Sequence, residues 1–557
     1  MVGKLIIKLT ATISNRRSYA VIAFLGFVAL ASLLTVPISD IDLWWHLASG
    51  RYLLETKTFM TSDPFGLAGQ DISQGRELIL NGYWLAQIFF FSIYEIFGDI
   101  GIVLLRVLLL LTPTIAVLFF GWKRSLQPFA ILFVAILCGW GMLEVDGIRP
   151  NHITIALVPI LFILLERLGY PTTADYTLGY RLRLVIELPV FMLLWANLHG
   201  GFLLGSLILA VYATAETAAT LLRRQSVKPL IFIWCMVGIA ILATLLSPNG
   251  ALTYIEFVSF TGGVIQQKTS EYLSPWVLAQ NGAIIYWPYF IFTALCAVVL
   301  AFRAARMPAT KLMLILALFI ISVTAFRYVP LFIAGTSILL LTELDVLART
   351  IRWTRLVTTV GSIVLACYLF FSAILAYPTA VEALVDKAVN ENRFPIAAVD
   401  FINENRISGV VFNHFNWGGY LAWRQSDSLR TFVDGRSLNM PLFHEYTRVL
   451  WLPNKMQSIL DRRGVNLIVI PRLNPFTGEL YALTDFLWRE KSWELVYRDS
   501  TGMVLVRQAD YPNLTRLGKS LIYQDVLNDI EMINSTSGRN GLEKIASFAR
   551  MRLDYGQ

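Results

Sequence analysis

Long apolar runs, separated by short polar segments, occupy the first two thirds of the chain. The first, Tyr19 to Pro37, is about 19 residues long, enough to cross ~30 Å of hydrocarbon. It follows Lys4, Lys8, Arg16 and Arg17, and no small-residue cleavage site succeeds it. It therefore reads as a retained span rather than a secretory leader. Similar runs at 101–121, 127–143, 153–168, 184–198, 202–222, 229–247, 284–302, 310–326, 329–347 and 356–376 predict further spans. After Tyr377 the pattern changes to charged turns, amphipathic stretches and short strand-like runs at Val410–Asn413, Thr431–Val433, Leu467–Ile470 and Val504–Val506. The predicted organisation is a helical membrane domain over 1–377, with a first external loop at 38–100, and a soluble α/β domain over 378–557. That second domain is of ordinary size.

Composition agrees with a polytopic membrane protein. The chain is 56% hydrophobic and 15% charged, against roughly 25% charged in soluble domains, which excludes one large water-soluble enzyme. Cys138, Cys235, Cys296 and Cys367 all lie in apolar runs, so a disulfide framework or thiol catalyst is not indicated. The net charge of +8 does not imply a nucleic-acid partner. Its basic residues fall in short clusters between the runs, where they orient a membrane protein. Those clusters are Lys123/Arg124, Arg167/Arg181/Arg183, Arg223/Arg224/Lys228, Arg303/Arg306/Lys311 and Arg349/Arg352/Arg355. All fall on the side of the N-terminus if the segment 83–97 lies in the interface instead of spanning. This gives eleven spans, a cytoplasmic N-terminus and an extracytoplasmic C-terminal domain, as expected in the cytoplasmic membrane of a bacterium.

With that orientation, the unusual polar residues collect on the external side: Asp40, Asp42, His46, Glu144, Asp146, Arg149, His152, Asn197, His199, Glu271 and Arg327. Ionisable groups near membrane depth are costly and are usually kept for function. The densest stretch is Asp40-Ile-Asp42-Leu-Trp44-Trp45-His46. A helix starting near Asp42 puts Asp42 and His46 on one face, and Trp44 and Trp45 could offer indole faces to a sugar ring. The alternative is a helix cap followed by an aromatic belt. Glu144 and Asp146 lead into Arg149 and His152, a set suited to a divalent cation and a phosphate, with magnesium or manganese the metals such oxygens favour. The alternative there is a solvated loop of mutually paired charges. Asn197 and His199 end a span beside Gly200 and Gly201, where a polar helix end would serve equally. Arg327-Tyr328 opens a late span, either as a snorkelling anchor or as a phosphate ligand.

In this order, the motifs resemble the GT-C superfamily of integral-membrane glycosyltransferases, and within it the catalytic subunit of oligosaccharyltransferase and its bacterial relatives. Asp42-Leu-Trp44-Trp45 is similar to the family's first-loop motif, and Glu144-Val-Asp146 to its second-loop acidic pair. Thr269-Ser-Glu271-Tyr-Leu-Ser-Pro275 and Arg327-Tyr328 are similar to its later-loop segments. Phe415-Asn-Trp417-Gly-Gly-Tyr420 with Phe432-Val-Asp434-Gly-Arg436 resembles the start of its soluble domain. Where the family reads its peptide acceptor with Trp-Trp-Asp, this chain has Phe415, Asn416 and Trp417, so asparagine glycosylation is not implied.

The resemblance implies a glycosyltransferase that moves a sugar from a polyprenyl-(di)phosphate donor to an acceptor at the external face. Asp42 would be the catalytic carboxylate, supported by Asp40 and Glu271. The set Asp42, Glu144, Asp146 and Glu271 would hold any cation. Arg327 with Arg149 and His152 would hold the phosphate, and Trp44, Trp45, His46, Asn197, His199, Tyr328, Trp417 and Tyr420 would line the substrate. The expected partners are the lipid-linked donor, membrane lipids and an acceptor that the sequence leaves unidentified. Two other classes stay open on the sequence. A glycolipid transporter calls for ionisable residues near span centres and broken helices in symmetric halves. A non-catalytic assembly protein would keep a degenerate GT-C core.

Overall fold

The computed structural model describes residues 16–168, 178–260, 270–280, 286–424, 429–475 and 478–537. Lys4 and Lys8, used to orient the first span, and Thr269 lie outside the described residues. The chain divides into two compact units, one formed by residues 1–38 and 81–389, the other by 39–80 and 390–557.

The first unit is helical. Its apolar runs form helices at Arg16–Leu34, Pro128–Trp140, Asn151–Leu168, Leu178–Leu198, Phe202–Leu222, Lys228–Thr244, Trp287–Arg303, Ala309–Thr324, Val329–Thr350 and Arg352–Val381. Five described helices are long and apolar enough to cross a membrane, and five more apolar helices are shorter. The centre is a continuous cluster of interdigitated Leu, Ile, Val and Phe side chains, including Leu132, Phe162 and Ile338. Large apolar side chains such as Leu222 and Leu375, 85% and 83% exposed, lie outside it. An apolar exterior of this kind belongs in lipid rather than water.

The Trp84–Lys123 helix contains a break at Gly98, whose φ of 62° and ψ of −155° are non-helical. A residue with a Cβ is strained in that conformation. The break separates an arm over 84–97 from a second arm of about 25 residues, or ~37 Å at 1.5 Å per residue, which is the span-length piece. Pro378, in contrast, sits inside the Arg352–Val381 helix. The helix thus runs past the compositional change at Tyr377, and the unit boundary falls at residues 389 and 390.

The second unit is a mixed five-stranded sheet flanked by helices. Its strands are β1 (Gly409–Asn413), β2 (Leu429–Thr431), β3 (Val465–Ile470), β4 (Trp493–Arg498) and β5 (Met503–Arg507), in the order β2-β1-β3-β5-β4. β1 is parallel to both β2 and β3, while β5 is antiparallel to β3 and β4. Residues 39–80, expected as part of a loop of the membrane domain, pack with this sheet instead. Thr431 N–H donates to Phe65 O and Leu67 N–H to Thr431 O, so residues 65–67 extend the β2 edge. Met60, Ala68 and Leu80 bury against Leu438 beside them.

Candidate functional site

The two ends of the helical unit carry different chemistry. At one end, Lys311 Nζ lies 2.9 Å from Glu166 and 3.8 Å from Glu343, and Arg303 lies 2.9 Å from the other Glu343 oxygen. Thr310 donates to Glu216 at 2.6 Å, Arg124 to Glu166 O at 3.0 Å, and Arg349 to Ser125 O at 3.0 Å. Three of the basic clusters named above therefore meet at a single end, together with buried glutamates that the sequence did not single out.

The opposite end is built from loops and helix starts. The turn Ser270–Tyr272 is tied to the turn Phe326–Tyr328 by Phe326 N–H donating to Leu273 O at 2.8 Å. This brings Glu271 to 3.9 Å from Arg327, while Arg149, from the loop before the Asn151–Leu168 helix, lies 3.8 Å from the other Glu271 oxygen. All three side chains remain close to 30% exposed, so the group is open to a ligand. The Arg327 guanidinium also sits over the rings of Tyr272, at 4.6 Å, and Tyr328, at 5.9 Å. One carboxylate shared by two guanidiniums leaves a net positive charge, which suits an anion such as a phosphate.

His199 sits half-buried beside this group. Trp195 Nε1 donates to Thr154 Oγ1 at 2.9 Å, Thr154 Oγ1 meets His199 Nδ1 at 2.7 Å, and Gly201 N–H donates to the same nitrogen at 3.0 Å. With Nδ1 accepting, the ring proton of the neutral form belongs on Nε2. Burial, then the charges of Arg327 and Arg149, push the His199 imidazole down to about 3, so it is neutral at physiological pH. Tyr83 stacks on it at 5.6 Å, and Trp84 donates to Asn197 Oδ1 at 2.8 Å. His152 is buried, its Nδ1 facing Arg149 N–H at 3.2 Å and Asn151 Oδ1 at 2.8 Å. Arg106, overlooked in the sequence, donates to Leu34 O at 2.7 Å and Val145 O at 3.0 Å, holding a helix end against the loop that carries Arg149. An arginine inside the 101–121 apolar run was itself the signal.

Of the expected cation set, Glu144, Asp146 and Glu271 belong to the helical unit and do not come together there. Glu144 and Asp146 are exposed, Asp146 accepts Gly147 N–H at 2.8 Å, and Glu271 is flanked by the two guanidiniums, which would repel a divalent ion. Among the described residues, no three His, Cys, Asp or Glu side chains come together as a metal site. Within the helical unit, these three carboxylates alone do not form an oxygen cage for magnesium or manganese.

The remaining candidates belong to the second unit. Asp42 occupies the N-cap position of the Leu43–Thr56 helix, where the sequence places it, but its side chain makes no capping bond. It accepts Trp45 Nε1 at 3.1 Å, and its own N–H donates to Asp40 Oδ1 at 2.9 Å. His46 is buried, with its ring centroid 3.5 Å from that of Trp45. Trp44 is enclosed by Phe394 and Tyr420 at 5.3 and 4.9 Å, and Trp417 donates to Arg393 O at 3.0 Å. Trp44, Trp417 and Tyr420 are thus core aromatics rather than open platforms, at 1%, 4% and 2% exposure. From the end of β1, the stretch Asn413–Tyr420 forms a 3-10 turn at Phe415–Trp417 and the start of a helix at Gly418.

No protein-family model and no curated protein sequence matches the chain. Solved structures do. ArnT from Cupriavidus metallidurans in the apo state is similar over 87% of this chain and 96% of its own, with a TM-score of 0.50 at 14% identity. ArnT bound to undecaprenyl phosphate gives 0.49 with the same coverage and identity. The archaeal oligosaccharyltransferase AglB from Archaeoglobus fulgidus, in complex with an inhibitory peptide and a dolichol-phosphate, gives 0.47 at 12% identity, over 88% of this chain and 74% of that one. At such identities the likeness to ArnT speaks for the fold alone: the chain has a fold similar to that of ArnT, with helices long and apolar enough to cross a membrane.

Proposed function

We propose that the chain is a membrane glycosyltransferase that takes a sugar from a polyprenyl-phosphate or polyprenyl-diphosphate donor at the external membrane face, with its N-terminus cytoplasmic. The observation that carries this reading is the Arg149–Glu271–Arg327 group, two guanidiniums on one accessible carboxylate in a unit with a lipid-compatible exterior. A lipid-linked phosphate needs both features at once. Arg327 and Arg149 bind the donor phosphate, and Glu271 keeps the two guanidiniums side by side. Asp42 takes the proton of the acceptor hydroxyl as its oxygen bonds to the sugar C1. The bond from C1 to the phosphate oxygen breaks, and its electron pair leaves with the phosphate. No step is assigned to a metal.

The test does not need the sugar to be known beforehand. A strain lacking the chain should accumulate one labelled polyprenyl-linked sugar and lose one glycoconjugate, and the full-length protein should restore both. Restoration by a variant lacking both Arg149 and Arg327 side chains would refute the phosphate site. No accumulation at all would refute the transferase.

A further inference from the structure

The carboxylate of Asp42 rests against a tight turn of the second unit. In that turn Asp434 Oδ1 accepts Arg436 N–H at 2.9 Å and Asp434 O accepts Ser437 N–H at 3.0 Å, leaving Gly435 at the apex. A Cβ on Gly435 would lie 2.2 Å from Asp42 Oδ1, so no other residue fits there without moving the carboxylate. Beside it, Trp45 Nε1 donates to the same oxygen at 3.1 Å and lies 3.7 Å from that Cβ position.

Both features are anchored by a buried ionic cluster. Arg436 Nη2 lies 2.8 Å from Asp63 and 2.5 Å from Asp434, with side chains 1%, 3% and 6% exposed. Its guanidinium carbon stands 6.0 Å from the Trp45 ring and 5.2 Å from the Phe65 ring. Asp63 N–H in turn donates to Gly69 O at 2.7 Å, within the segment that pairs with β2. Two carboxylates around one guanidinium are costly to bury and tolerate little movement, so the turn and the indole share one rigid support.

We infer that Trp45 and Gly435 are positioning residues for the Asp42 carboxylate: the indole N–H orients it, and the bare Cα of Gly435 provides its seat. This rests on the reading of Asp42 as the base. Trp44 and Trp45 are both buried, and Trp45 turns its N–H to a carboxylate.

The test uses membranes of the deletion strain carrying equal amounts of each full-length variant, with the donor supplied as that strain's own accumulated lipid. Trp45→Phe keeps the ring and removes the N–H donor. It should lower the transfer rate at saturating donor about tenfold, with half-saturating donor concentration and melting temperature unchanged. Gly435→Ala should lower the rate further, again without weakening donor use. Wild-type rates in both variants would overturn the inference, as would losses that follow a fall in melting temperature. Full transfer by Asp42→Asn would refute the base assignment itself, whatever Trp45→Phe does. Loss in Asp42→Asn with wild-type rate in Trp45→Phe would refute only the positioning role.

Discussion

Glu271→Gln separates a phosphate site from a cation site, because the two readings require changes of opposite sign. As a metal ligand, Glu271 would be indispensable. As the counter-charge of Arg149 and Arg327, it competes with an incoming phosphate for the same guanidiniums. The two contacts are 3.8 and 3.9 Å, longer than hydrogen bonds, so their energy is mainly Coulombic. At ~3.8 Å one such pair is worth about 1 kcal/mol in a water-like medium and about 4 kcal/mol at an effective dielectric of about 20. With close to 30% exposure the screened end of that range applies, and two pairs give about 1–2 kcal/mol. Neutralising Glu271 should therefore tighten undecaprenyl phosphate binding about five- to thirtyfold. Arg327→Ala should weaken it at least tenfold. The assay is titration of full-length protein in nanodiscs by native mass spectrometry, at low salt and again at high salt, where both effects should shrink. Weaker binding in Glu271→Gln, or binding indifferent to Arg327→Ala, would refute the electrostatic argument.

Arg436→Leu should destabilise the second unit by about 3–5 kcal/mol, since it strands Asp63 and Asp434 as buried charges; the melting temperature in detergent reads this, and an unchanged value would remove the proposed support beneath Trp45. Acidification should also destabilise the protein. His199 is held at about 3 and His414, by burial, at about 4, so the unfolded chain takes up protons first. The stability that these two groups provide is complete above about 6.5 and is lost as pH falls through that value toward the folded ones, at up to about 1.4 kcal/mol per pH unit for each histidine. Burial of Asp63 raises its carboxyl and contributes in the opposite sense. His199→Gln should flatten the acid side of a melting-temperature profile, and an unaltered profile would contradict a neutral imidazole at this position. Finally, a reporter active only outside the cytoplasm should be active when fused after residue 380 and silent at Gln225; activity at Gln225 would overturn the orientation.

What the sequence made legible was local. Apolar runs appear as helices because each satisfies its own backbone within a single segment. β1, β3 and β5 are visible as short apolar runs, whereas β4 is masked by Glu494 and Tyr497 within Trp493–Arg498. Long-range pairing left no such trace. The affiliation of residues 39–80 rests on Phe65 and Leu67 meeting Thr431, and on Asp63 meeting Arg436 across 373 positions. Neither Asp63 nor Phe65 stands out from its neighbours in sequence. Arg149, Glu271 and Arg327 were each legible as polar residues beside apolar runs, but their mutual pairing required the turn-to-turn bond between Phe326 and Leu273. Aromatics failed for a different reason: a tryptophan that stacks on a sugar and one that fills a core are the same residue. Trp44 needed Phe394 and Tyr420 around it to be told apart.

The buried glutamates at the other end of the helical unit bear on how orientation was read. Glu166, Glu216 and Glu343 stand among Arg303, Thr310 and Lys311, so the folded end is far less positive than its count of Lys and Arg suggests. A net-charge rule applied to the finished structure would lose much of its signal there. The orientation rule counts Lys and Arg and gives acidic residues little weight, because short loops are committed while the helices still enter the membrane, before distant segments pair. Lys311 and Glu166 lie on separate helices, and their 2.9 Å contact can form only after both have inserted. The cations can therefore set orientation first and serve as buried ion-pair partners afterwards. A double variant, Glu166→Gln with Glu343→Gln, should leave the silence of the Gln225 fusion unchanged while lowering the melting temperature. If that fusion became active, the acidic residues would have helped to orient the chain, and a count of cations alone would not be the right way to read it.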